Sequence, residues 1–145
     1  MKWNYTHEEQ KFELLPEGNY RVRVRSAEKA QSRNGNDMLV LQFDVSGSKK
    51  IMYNYIVFMP DNPEITNAKL TQFFQSFKDI KEGDLDTSHW IGKVGAAKIK
   101  HEEYQGELRE KIAYFIRAEK QDDLPNWVDP ETGMTELGAT EELPF

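Results

Sequence analysis

Hydrophobic and polar positions alternate strictly from Asn19 onward, with Tyr20, Val22 and Val24 on one face and Arg21, Arg23 and Arg25 on the other. Period two with β-branched residues predicts a half-buried strand, running on towards Gln31. Leu14-Leu15-Pro16-Glu17-Gly18 forms a turn signal ahead of it. Behind it lies Ser32-Arg33-Asn34-Gly35-Asn36-Asp37, in which Asn-Gly is the strongest hairpin dipeptide. A second strand follows from Met38 to Val45, with Leu39, Leu41, Phe43 and Val45 facing one way. Ser46-Gly47-Ser48 turns the chain into a third strand, Ile51 to Phe58. Alternation leaves the inward face of this third strand open. Ile51 and Val57 share a face with Tyr53 and Tyr55, which favours core burial for at least one of the tyrosines.

Beyond Pro60 the period changes. Leu70, Phe73, Phe74 and Phe77 fall at i, i+3, i+4 and i+7, the stripe of an amphipathic helix predicted from about Pro63 to Lys78. Pro63 suits the first turn and Asn62 is placed to cap it. After an acidic loop at 82–86, residues 93–101 and 108–117 predict two more strands, with Tyr104-Gln105-Gly106-Glu107 as their hairpin tip. The order β-β-β-α-β-β is that of a mainly β, five-stranded oligonucleotide/oligosaccharide-binding (OB) barrel whose helix plugs one end. Past Lys120 the chain is acidic and aperiodic, so the expected division is an OB domain over 1–120 and a disordered acidic C-terminal tail over 121–145. Trp127 and Val128 are the residues of that tail expected to dock locally.

Composition sharpens this picture mainly through charge. The 145-residue chain has no cysteine, which excludes disulfides, thiolate metal sites and thiol nucleophiles. Mean hydropathy is −0.77, and the absence of a long apolar run gives a cytoplasmic expectation with no membrane partner. The net charge of −6 suits a nucleic-acid binder only after it is divided: residues 1–118 carry +1 and residues 119–145 carry −7. Within the body, residues 18–58 hold seven basic and three acidic side chains. Charge is polarised along the chain, and the negative excess belongs to the last segment.

Arg21, Arg23 and Arg25 project at intervals of about 6.6 Å, close to the spacing of phosphates in a stretched single strand. Lys29 and Arg33 extend the track, and Lys98 and Lys100 repeat the motif opposite Ala97 and Ile99. Such a face can also be ordinary solvated surface. Rings supply the second requirement of single-strand binding, because bases stack on them whatever the sequence. Tyr53, Tyr55 and the hairpin-tip Tyr104 are the stacking candidates, with Trp90, Phe58 and Tyr114 behind them. Catalytic patterns are absent from the sequence. His7, His89 and His101 have no ligand spacing, and His101-Glu102-Glu103 lacks the second histidine of a zinc motif. The expectation is a non-enzyme without cofactor or metal.

The last five residues, Glu141-Glu142-Leu143-Pro144-Phe145, are similar to the acidic tip of bacterial and phage single-stranded DNA-binding proteins. Glutamates stand here for the usual aspartates, and leucine takes the variable apolar position. The body resembles a family of small phage proteins encoded near recombination and replication genes and regarded as single-stranded DNA-binding proteins. The residues that carry this likeness are Leu15-Pro16-Glu17-Gly18-Asn19-Tyr20, Gly92-Lys93-Val94-Gly95 and Lys100-His101-Glu102-Glu103-Tyr104-Gln105-Gly106. The resemblance spans most of 14–117 plus the tip. Since the body departs from the standard bacterial form, that form's tetramer and stacking residues are not carried over.

The resemblance implies a barrel that binds single-stranded DNA without sequence preference and a tip that recruits replication or recombination proteins. Phe145 and Pro144 would enter a partner's pocket while Glu141 and Glu142 steer the encounter. In cis, the acidic tail would compete with DNA for the basic groove. RNA stays open as a ligand, and a homodimer is the favoured oligomer. The competing expectation is an OB-fold adaptor or inhibitor that binds protein partners only.

Overall fold

The structure is a computed structural model in which residues 2–7 and 14–130 are described. The tip at 141–145 lies outside the described residues. Five strands form one antiparallel sheet: β1 (Gly18–Gln31), β2 (Asp37–Val45), β3 (Ser48–Val57), β4 (Val94–Tyr104) and β5 (Glu107–Phe115). Among the described residues a single α-helix, α1 (Pro63–Ser76), stands between β3 and β4. Spatial order is β3-β2-β1-β4-β5, so the long first strand is the spine and β3 and β5 are the two edges. Residues 18–23 of β1 pair with β4 on one side, while the strand pairs with β2 from Val22 to Gln31 on the other. Arg25 is the extra residue of a bulge in β1 between Val24 and Ser26, just past the last β1–β4 pair at Arg23.

The alternation read from β1 and β2 is the observed one. Val22, Val24, Leu39, Leu41, Phe43 and Val45 are all buried. On β3 the inward set is Met52 and Ile56, and the tyrosines point out, with Tyr53 50% and Tyr55 47% exposed. The preference for burying at least one tyrosine is therefore overturned. Methionine and isoleucine fill the same space without a hydroxyl that would need an interior partner.

Helix α1 buries the predicted stripe, and its rings form the centre of the core. Phe73 stacks on Phe77 with centroids 4.5 Å apart and meets Trp90 at 4.6 Å. Phe43 reaches Phe115 at 5.5 Å. Each such ring taken fully from water contributes roughly 1.5–3 kcal/mol. This packing excludes Trp90 as a stacking platform, since it is wholly buried and its indole N–H donates to the Asp84 carbonyl at 2.8 Å. Close approach of α1 to β4 requires Gly95, where a Cβ would lie 2.7 Å from the Phe77 ring. Asn62 occupies the N-cap position but its side chain makes no capping hydrogen bond. Thr66 fastens that end instead: its hydroxyl donates to Val57 O at 2.8 Å and accepts from Met59 N–H at 2.9 Å. At the other end Ser76 Oγ donates to Ala96 O and accepts from Ala96 N–H.

No backbone hydrogen bonds join β3 to β5, so the sheet is open along that seam. Side chains bring the edges together nonetheless: Lys50 Nζ lies 3.1 Å from Glu110 Oε2. The segment before β1 crosses the same end, where Leu15 N–H donates to Glu110 and His101 Nε2 donates to Leu15 O at 2.6 Å. Burial raises the Glu110 pKa, but the Leu15 amide and the Lys50 ammonium outweigh it and hold the carboxyl below its usual range.

Residues 121–130 lie on the body of the fold rather than off it. Gln121 is buried, and its amide donates to Ile116 O at 2.8 Å and to Ser76 O at 3.1 Å. Local docking was expected at Trp127 and Val128, and both are held. Trp127 is 5% exposed, and Val128 exchanges hydrogen bonds with Ser46 and Gly47 in the β2–β3 turn. The expected boundary after Lys120 cuts through this packed segment. Composition alone could not place it, because the acids of 122–129 are interleaved with the buried Gln121 and Trp127.

Candidate nucleic-acid interface

The arginines of β1 face outward as their alternation requires, but their charge is used within the chain. Arg23 lies opposite Asp44 in the β1–β2 register. Asp44 is 5% exposed and takes Arg23 at 2.9 Å and Arg25 at 3.0 Å. Arg23 also meets Asp129 at 3.1 Å and lies 4.9 Å from the Trp127 ring centre. Burial pulls the Arg23 pKa down, and the hydrogen bonds to Asp44 and Asp129 more than restore it. Arg21 donates to the Pro125 carbonyl at 2.6 Å and to the Gln121 carbonyl at 3.2 Å. Residues 121–129 thus form a strap held by two of the three arginines. Lys29 and Arg33 are exposed towards the β1–β2 hairpin end, beyond this network.

A second basic surface gathers on β4 and β5. Lys100 sits directly opposite Lys111, and Lys98 opposite Tyr114. Like charges placed opposite one another repel and favour a bound anion. Glu102 stands near Arg109 and Lys111, at 3.8 Å from each, a loose contact on an exposed surface. The Arg109 guanidinium lies 4.0 Å from the centre of the Tyr104 ring. Tyr104 is half exposed and ends β4, ahead of a two-residue turn in which Gln105 (φ 51°) and Gly106 (φ 84°) both take the left-handed region. That conformation is the one a tight hairpin demands, and it aligns Tyr104 with Glu107.

The two sides of the open seam meet in a cleft of about 440 Å³. Its β3 wall includes Tyr53, Asn54 and Tyr55, and its β5 wall includes Arg109, Lys111 and Ile112. Lys69 reaches in from α1 and donates to Tyr55 O, and burial lowers the pKa of its ammonium. The structure therefore brings Tyr53 and Tyr55 together with Arg109 and Lys111, and places Lys100 and Tyr104 beside them. It separates them from Arg21, Arg23 and Arg25. Arg109 and Lys111 were legible, since they repeat the alternate-position spacing of Lys98 and Lys100. Lys69 and Asn54 carry no such signal, because only the tertiary fold places them at the seam.

Among the described residues no cluster of His, Cys, Asp or Glu could hold a metal ion, and no helix is long and apolar enough to cross a membrane. The arrangement defines a class: an open five-stranded antiparallel sheet with one packed helix and, between its edges, a tyrosine-lined cleft carrying Lys69, Arg109 and Lys111 beside Glu102 and Glu110. The chain belongs to the family described as "Protein of unknown function (DUF669)", whose model matches residues 2–122. A search of curated proteins found no match.

Proposed function

We propose that this chain is a non-enzymatic, sequence-independent single-stranded DNA-binding protein, built as an OB-type barrel whose β3–β5 seam is bridged by side chains. The observation that carries the reading is the convergence of half-exposed Tyr53 and Tyr55 with Arg109 and Lys111 on one cleft. Rings for stacking and cations for phosphates are the two components that such binding needs. Lys98, Lys100 and Tyr104 continue the path along β4 and its hairpin, while Lys29 and Arg33 offer a second phosphate contact. The phage single-strand-binding resemblance supports the same reading. In it, Glu141, Glu142, Leu143, Pro144 and Phe145 recruit replication or recombination proteins.

Titration of the full chain with poly-dT at several salt concentrations, followed by tyrosine fluorescence, tests the proposal. Quenching should weaken steeply with salt, and the double variant Arg109→Ala/Lys111→Ala should flatten the log–log slope by about 0.7 per lost cation. Matched DNA and RNA oligomers decide between the two nucleic acids. One observation favours the alternative of a protein-only adaptor: Arg21, Arg23 and Arg25 hold intramolecular partners. Absence of any response to either nucleic acid would overturn the first reading and support that alternative.

A further inference from the structure

Asn54 stands between Met52 and Ile56, the two residues that β3 buries in the core. Its carbonyl oxygen is buried and has no hydrogen-bond partner among the described residues. A buried amide left unpaired is costly, and such groups in folded proteins are nearly always satisfied by something. Asn54 lines the cleft of the seam, and the buried Met52 and Ile112 give that cleft an apolar floor. Tyr53 lines it on one side, and Arg109 and Lys111 on the other beside Glu102 and Glu110, of which Glu110 is held by Lys50. One end is closed by the Lys50–Glu110 ion pair and the other by Lys69 on the Tyr55 carbonyl. The volume of about 440 Å³ falls within the roughly 300–1,000 Å³ of small-ligand sites.

A flat ring at the lip, an apolar floor, an unpaired amide in the wall and two cations opposite describe one ligand chemistry. An unstacked nucleobase is flat, offers hydrogen-bond groups along its edge and carries phosphates on either side. We propose that the β3–β5 cleft is a nucleobase slot. One base of the bound strand turns into it and lies against Tyr53. The Asn54 side chain rotates to bring its buried oxygen out to the base's edge, and the flanking phosphates rest on Arg109 and Lys111. This rests on the single-strand reading above and adds where the strand is gripped. It also gives the open seam a purpose, because a base in the slot touches both edges and completes across them what the backbone leaves unjoined.

The test compares the full-length wild type, Asn54→Leu and Tyr53→Ala on an oligo-dC strand and on an abasic strand of equal length and charge. Each variant should lose roughly 10-fold in affinity for the base-bearing strand, with an unchanged salt slope, because no phosphate contact is removed. Neither should change its affinity for the abasic strand. Hydrogen exchange on the wild type should show protection along β3 and β5 when oligo-dC binds. Tyr53→Ala alters a half-exposed side chain, so it and the exchange measurement carry the test even if Asn54→Leu fails to fold. Wild-type binding with both variants at wild-type affinity overturns the slot and leaves the single-strand reading standing. Equal losses on the abasic strand overturn it too, by assigning the effect to phosphates. No binding by the wild type overturns both.

Discussion

The arginine stripe of β1 and the cleft between β3 and β5 are both built from cations at alternate strand positions, yet their counter-charges come from different places. On β1 the chain supplies its own: buried Asp44 takes two guanidiniums, and the strap brings Asp129 and two carbonyls. On β5 the only described acid within ion-pair range of Arg109 and Lys111 is Glu102, shared between them at 3.8 Å. One surface is electrostatically complete, and the other sets two cations against one described carboxylate. Counting cations along a strand cannot separate the two cases. The deciding residue, Asp44, lies 21 positions from Arg23 in sequence and faces it only through the strand register.

The largest effect should come from breaking the strap. Trp127→Ala removes a ring that is 5% exposed and packs beneath Arg23. Such a truncation is expected to cost about 3 kcal/mol, read as a lower urea midpoint. If the strap is a permanent part of the fold, single-strand affinity should change little in the protein that stays folded. A marked gain in affinity would instead make the strap a displaceable cover and put the arginines back on the path of the ligand. For the same reason, any deletion meant to remove the acidic tail should begin after Asp129. A cut at 121 also removes the buried Gln121 amide and its hydrogen bonds to Ser76 O, Ser76 Oγ and Ile116 O.

Asp44→Asn probes the same contrast more gently. It keeps the side chain's shape while removing the charge that Arg23 and Arg25 share. Removing the charge on which three hydrogen bonds from the two arginines converge should cost about 2 kcal/mol. With the cleft as the binding site, the salt dependence of single-strand binding should stay as in the wild type. A steeper slope would mean that the released guanidiniums had found phosphates.

Much of this fold could be read directly from the sequence, and the exceptions share a physical cause. β1, β2 and the helix were legible because one face of each is purely apolar: Val22 and Val24, Leu39 through Val45, and Leu70 through Phe77. β3 was ambiguous because both faces carry large apolar or aromatic residues, so alternation gave two equal answers. Packing decided between them by burying Met52 and Ile56. Trp90 looked like a ligand-facing ring because a lone tryptophan after an acidic loop has no periodic context; in the fold it completes the Phe73–Phe77 stack. The openness of the seam is equally non-local. Strand order and helix position can be counted along a chain, but whether two edges exchange backbone hydrogen bonds depends on the coil of the whole sheet.

A pH titration supplies the smallest effect and a control that touches neither surface. In the loop before β4, His89 Nδ1 lies 2.6 Å from Asp84 Oδ2. The hydrogen bond to Asp84, and then the charge of Asp86, raise the imidazole pKa above its ordinary 6.5. The hydrogen bond to His89, and then the Asp86 amide, lower the Asp84 carboxyl below its ordinary 3.8. Because the folded histidine holds its proton more tightly, its contribution to stability is complete below pH 6.5 and is lost as pH rises through the raised value. The folded aspartate holds its proton less tightly, so its contribution is complete above pH 3.8 and is lost as pH falls through the lowered value. The stability difference between wild type and His89→Ala should therefore be flat between those limits and shrink towards alkaline pH. Urea midpoints of the two proteins across that range measure it, and a difference that grows above neutrality would contradict the pairing. Both sites are solvent-exposed, so the amplitude is small and screened by salt. Single-strand affinity should not follow it, because the histidine tunes a loop tied to the core through Trp90 and lines no part of the cleft.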